Sequence, residues 1–241
     1  MLHRKNWVLI GMTLCTASAV MATPVTFIGS DGTMSAGVTF DTSGTNLLVT
    51  LTNTSTLDAL RPTDILTAMF FQSEITLNLA PVSAVVPAGS TVLFGTTDPG
   101  NSVGGEWAYK AGILGASSYG ISSVGLGLFG PHDLFPGSNL QGPDSPDGLQ
   151  YGITSAGDNP LTGNTPVTGD NALIKNEVVF VLSGLPVGFD PSTSITSVMF
   201  QYGTDLTDPH CYGVRTPEPA TLGLLAISSL IAFRRRSVGA R

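Results

Sequence analysis

Charge is what this chain has least of. Lys, Arg, Asp and Glu make up 11% of its 241 residues, against about 25% in an ordinary soluble domain. Basic residues are scarcest and gather at the ends: Arg4 and Lys5 near the start, Arg234, Arg235, Arg236 and Arg241 at the finish. Residues 23–216 keep four, Arg61, Lys110, Lys175 and Arg215, against sixteen acidic residues, a net charge of −12. Phosphate backbones are held by clustered Lys and Arg, so a body this acidic offers nucleic acid no footprint.

Cysteine and histidine are nearly missing too. The two cysteines are Cys15 and Cys211, and beyond the first residues the histidines are His132 and His210. No His or Cys pair has zinc spacing, and no Gly-x-Ser-x-Gly elbow occurs. A secreted hydrolase would need a serine or an acid pair converging near His132. Gly125-Leu126-Gly127-Leu128-Phe129-Gly130 matches the dinucleotide fingerprint in letters, but Pro131 follows where a helix must begin, so it reads as loop. An apolar run long enough to span a bilayer is also lacking. The longest at the C-terminus, Ala220–Phe233, has 14 uncharged residues, about 21 Å as a helix against a hydrocarbon core of about 30 Å.

What is plentiful is Gly (29), Pro (16) and β-branched residues. Val25–Ile28 and Val38–Phe40 read as short strands either side of the turn Gly29–Gly32. Asn46–Asn53 alternates, with Leu47, Val49 and Leu51 on one face, as a half-buried strand does. Asp64–Gln72 is apolar enough for helix or strand, and Thr67, Phe70 and Phe71 favour strand. Pro81–Val86 and Thr91–Phe94 flank the turn Pro87–Ser90 and predict a hairpin. Glu177–Leu182 suits a central strand, Ile195–Tyr202 follows, and Thr204–Thr216 reads as a loose stalk. Residues 95–170 hold 17 of the glycines and 7 of the prolines, yet Trp107, Tyr109, Ile113 and Phe129 are too apolar for a free linker. This stretch reads as a long insertion packed on the rest. The expected fold is mostly β, a β-sandwich of jelly-roll-like form, because strands this short bury a face only against a second sheet.

The two ends read as addresses. His3-Arg4-Lys5, the apolar Trp7–Val20 and the small-residue site ending at Ala22 form a secretory signal peptide. Cys15 does not make a lipoprotein site, since bulky Leu14 precedes it. With residues 1–22 removed, Cys211 is left without an intrachain partner, either a free thiol or an intermolecular link. The positive-inside rule keeps Arg4, Lys5 and Arg234–Arg236 in the cytoplasm and sends residues 23–216 across the membrane.

The tail orders Pro217-Glu218-Pro219-Ala220-Thr221, then Leu222–Ala226 and the rest of the apolar run, then Arg234, Arg235 and Arg236. This arrangement resembles the PEP-CTERM sorting segment of bacterial exopolysaccharide-associated proteins, which the membrane peptidase exosortase recognises and cleaves. The resemblance implies processing near Pro217, Glu218 and Pro219, with 220–233 a short transmembrane helix and the arginines its cytoplasmic stop. Within the body, Asp64–Phe71, Gly125–Leu134, Phe135-Pro136-Gly137, Gly142–Gly152 and Phe200–Thr204 resemble a family of exosortase-dependent surface proteins across most of residues 36–208. That implies surface display and no assigned catalysis.

The expected organisation is therefore a signal peptide (1–22), a β-rich domain (23–208), a stalk (209–216) and a sorting segment (217–241). The expected partners are the Sec translocon, signal peptidase, exosortase, the inner membrane transiently and exopolysaccharide. The final location is the cell surface or biofilm matrix, and a non-enzymatic structural or adhesive role fits best. Two ligand sites are candidates. Trp107 and Tyr109, with Tyr119 and Tyr151, could stack on sugar rings, making the body a carbohydrate-binding module. Asp144 and Asp147, with Asp158, Asp170, Asp205 and Asp208 in loops, are weak calcium candidates; no other cofactor is expected. Asn53-Thr54-Ser55 is a glycosylation sequon with no expected use in a bacterium.

Overall fold

The computed structural model describes residues 22–126, 137–141, 148–163, 167 and 171–216. The expected signal peptide before Ala22, His132, Asp144, Asp147, Asp170 and the whole expected sorting segment lie outside these residues.

The chain is mostly β. In order it forms β1 (Val25–Asp31), β2 (Met34–Ser43), β3 (Asn46–Asn53), β4 (Leu66–Ser73), β5 (Ala80–Val85), β6 (Thr91–Leu93), β7 (Ala108–Ala111) and β8 (Ser118–Ser122). There follow β9 (Ser138–Asn139), β10 (Ile153–Thr154), β11 (Leu173–Lys175), β12 (Glu177–Ser183), a short helix α1 (Pro191–Ser194), β13 (Ile195–Tyr202) and β14 (His210–Arg215). The predicted alternation of β3 is realised: Leu47, Val49 and Leu51 point inward while Leu48, Thr50 and Thr52 do not. Asp64–Gln72 resolves into a 3-10 turn at Pro62–Asp64 and the buried strand β4. The proline stops that turn from extending backward, and the β-branched and aromatic residues after it fill a pleated face.

The 14 strands form one hydrogen-bonded sheet, ordered β5-β12-β3-β2-β1-β14-β13-β4-β10-β11-β6, with β8, β7 and β9 branching from β4. Every pair is antiparallel except β10 with β11. The ends of this path, β5 and β6, are consecutive in sequence. The turn that joins them, closed by Ser90 N–H donating to Pro87 C=O at 3.1 Å, brings the sheet nearly back on itself. Here the expected hairpin is corrected: the turn is present, but β5 pairs with β12 and β6 with β11.

The faces that meet inside the fold make one large core cluster, with two smaller ones beside it. Phe40 of β2 lies 5.2 Å from Phe71 of β4, Phe71 stacks on Tyr119 of β8 at 5.0 Å, and Trp107 meets Phe180 of β12 at 4.9 Å. Such pairs add about 0.5–1.5 kcal/mol each beyond the area they bury. Trp107, Tyr119 and Ile121 come from the Gly/Pro-rich stretch, which thus supplies core rather than covering it.

A second expectation, the stalk at 209–216, is also overturned. Residues 210–215 are β14, which pairs with β13 from Gln201↔His210 to Val198↔Gly213 and with β1 at Phe27↔Arg215 and Ile28↔Val214. The body therefore runs to Thr216, whose N–H donates to Thr26 C=O at 2.9 Å. Polar, turn-rich composition resembles a linker, but alternate residues of His210–Arg215 suffice for a strand once neighbours on both sides satisfy its backbone.

Candidate functional site

The chain enters and leaves the sheet at one corner. β1 and β14 run antiparallel there, so Ala22 and Thr216 flank the same end of one strand pair. The closing contacts come from three elements. Asp190 N-caps α1, its Oδ1 accepting from Ser192 N–H at 2.9 Å, as the Asp-Pro sequence at a helix start favours. The same Oδ1 accepts from Thr23 N–H at 3.4 Å. Arg215 spans the gap between β14 and α1, donating to Ser192 C=O and, at 2.7 Å, to Ile195 C=O. Its guanidinium also lies 5.5 Å from the centre of the Phe27 ring, a cation–π contact of about 0.5–1 kcal/mol at a partly exposed site. Thr216 completes the corner, its Oγ1 also donating to Thr26 C=O at 3.2 Å. Sequence reasoning gave Asp190 and Arg215 no role. The Asp190-Pro191-Ser192 cap was a local signal, but its link to Thr23 spans 167 positions.

Pro217, Glu218, Pro219 and the arginine stop lie outside the described residues. The chain is hydrogen-bonded into the sheet up to Thr216, the residue before Pro217.

The aromatic sugar platform does not exist as expected. Trp107 is 0% exposed and Tyr109 5% exposed. No ring face of Trp107 is open to a ligand, because the strands around it bury it against Phe180. Tyr119 is buried, and Tyr151 donates its hydroxyl to Thr96 C=O at 2.8 Å. Trp107, Tyr109 and Tyr119 are core residues, and Tyr151 packs half-buried against the core.

Of the acidic candidates, Asp205 and Asp208 tie down their own turn. Asp208 Oδ2 accepts from Thr204 and Asp205 N–H at 2.9 and 3.0 Å, and Asp205 Oδ1 from Thr207 N–H at 2.8 Å. The Thr207 main chain and hydroxyl hold the Asp205 carboxyl below its ordinary range. Asp158 is buried, and its Oδ1 accepts from Ala59 N–H at 3.0 Å. Burial raises its pKa, and a hydrogen bond and charge from Asp58 push the same way. Asp58 is lowered, first by the Thr162 hydroxyl and then by Asn159 N–H. Among the described residues no group of three or more His, Cys, Asp or Glu is placed to hold a metal ion.

A cleft of about 390 Å³ opens beside Asp58, lined also by Met34, Ser55, Leu57, Asp64 and Tyr202. Asp64 spends its Oδ2 on Leu60 and Arg61 N–H, each at 3.0 Å. The Tyr202 hydroxyl is buried without a hydrogen-bond partner. Burial raises its pKa, and Cys211 adds to this. His210 Nδ1 lies 3.4 Å from Asp208 C=O, and the ring stands edge-on to Tyr212. Neither cleft nor histidine brings together a nucleophile and a base.

No protein-family model, curated protein or solved structure matches the chain.

Proposed function

We propose that this chain is an exported structural or adhesive protein of a bacterial surface or exopolysaccharide matrix, delivered by two cleavages. Signal peptidase removes residues 1–22 during Sec export. The apolar run 220–233 then holds the body on the periplasmic face of the inner membrane until exosortase cuts near Pro217–Pro219, and the product moves to the cell surface or biofilm. The body is a jelly-roll-like β-sandwich whose role is mechanical rather than catalytic.

One observation carries the proposal: Pro217-Glu218-Pro219, the apolar run and Arg234–Arg236 begin directly after the last residue bonded into the sheet. A run of 14 residues is too short for a comfortable span, which suits an anchor that is to be given up. Arginines at its end can snorkel to the interface. Because no stalk intervenes before Pro217, the anchored body lies close against the membrane.

Mass spectrometry of the mature protein from its native host tests this. The expected product begins at Thr23 and ends near Pro217–Pro219. Protein that retains Arg241 throughout refutes the sorting model.

A further inference from the structure

The contact between Thr23 and Asp190 changes character if the signal peptide is removed. In the precursor, Thr23 N is a neutral amide donating weakly to Asp190 Oδ1 at 3.4 Å. Hydrolysis breaks the Ala22–Thr23 peptide bond with one water, leaving a carboxylate on Ala22 and a free amine on Thr23. That amine has an ordinary pKa near 7.7–8.0 and is an ammonium at neutral pH. We infer that cleavage after Ala22 creates an ion pair between the Thr23 ammonium and the Asp190 carboxylate, which clamps the start of β1 onto the α1 corner in the mature protein alone. The inference rests on the signal-peptide reading above.

The surroundings favour a positive charge there. The charged groups at this corner are Asp190 and Arg215 from β14; Asp41 of β2 is near in register, its Oδ1 accepting from Thr42 N–H at 2.7 Å. Asp41 follows Phe40, the register partner of Val25, and so stands on the strand alongside Pro24. The Arg215 guanidinium is turned to the Ser192 and Ile195 carbonyls and the Phe27 ring, leaving the Asp190 carboxylate to the amine. β13 brings no charged residue to the corner. A consequence follows for β14, which is held against β1 at Phe27↔Arg215: fixing the start of β1 also steadies the strand from which the sorting segment leaves. Removal of the leader thus firms the corner at which the second cut is made.

The sign of the pH dependence is fixed. A carboxylate partner raises the amine's folded-state pKa above its unfolded value. The stabilisation is complete below about pH 7.5 and is lost as pH rises through the folded pKa. The test is thermal unfolding of the exported protein between pH 6 and 10, for wild type and Asp190→Asn. Asparagine keeps the α1 cap while removing the charge. Wild type should melt about 2 °C above Asp190→Asn at pH 6.5, with the gap closing by about pH 10. Acetylating the α-amine of mature wild type should remove the same increment without touching Asp190. Precursor kept uncleaved by Ala22→Leu should show no such pH step. N-terminal sequencing separates the possible failures. Protein that begins at Thr23 but shows no step, or a precursor that shows the same step, overturns the ion pair alone. A mature protein that begins elsewhere overturns it together with the processing reading.

Discussion

Cys211 shows how far a single residue's surroundings decide its chemistry. It is the one cysteine of residues 23–216, and composition left it either free or linked to another chain. In the fold it is free and buried, and burial, with the Asp31 charge behind it, pushes its thiol up to about 11. A thiol so placed is protonated at neutral pH and is neither a nucleophile nor an accessible link. Asp158 is the complementary case. Its raised pKa means the folded protein holds a proton more tightly than the unfolded chain does, so this residue's contribution to stability falls as pH rises past about 3.9. Asparagine would keep the acceptor for Ala59 N–H while holding the site neutral. Asp158→Asn should therefore gain on wild type in melting temperature from pH 3 to pH 7. A difference that stays constant across that range would remove burial of charge as the explanation.

At the scale of elements, β1 and β14 meet because each carries a glycine where they close. A Cβ on Gly213 would lie 2.9 Å from Phe27 Cβ and 3.2 Å from Val198 Cβ, and one on Gly29 would lie 2.8 Å from Tyr212 C=O. Gly213→Ala should thus cost about 1–3 kcal/mol through overpacking. Gly148→Ala, with open space around its Cβ, should be nearly neutral. Chemical denaturation of the pair checks this, and equal midpoints would mean that the two strands are not so tightly packed. These glycines also explain why β14 was illegible as a strand. A Tyr-Gly-Val sequence after Asp-Pro-His has the composition of a linker, and the partner that makes Gly213 necessary, Phe27, is far away in sequence. β3 was legible because its alternation is local. The hairpin between β5 and β6 was misread for the opposite reason: the turn was local and correct, while the pairing of its arms was decided by β12 and β11.

Taken whole, the body is an acidic shell on an aromatic core. Residues 23–216 carry a net charge of −12, and Arg61–Asp64 at 3.4 Å is the salt bridge found among the described residues. An exposed pair of this kind adds about 0–1 kcal/mol, so the fold depends on burial, and its surface charges mainly repel one another. Added sodium chloride should raise the melting temperature of residues 23–216, since about 0.5 M salt shortens the screening length to a few ångströms. A fall with salt would mean that attractive pairs outweigh the repulsion.

Local sequence, by itself, determined what depends on neighbours in the chain: the β class and the two-residue period of strands such as β3. It could not place Trp107 and Tyr109, because an aromatic residue in a Gly/Pro-rich stretch suits a sugar platform as well as a core. Only the tertiary structure, by setting Trp107 against Phe180 and Tyr109 beside Tyr119, decided between the two. Nor could it join Thr23 to Asp190 or give β14 its two neighbours. Those contacts bridge long stretches of chain, and what selects them is the burial of shared faces, which no local pattern records.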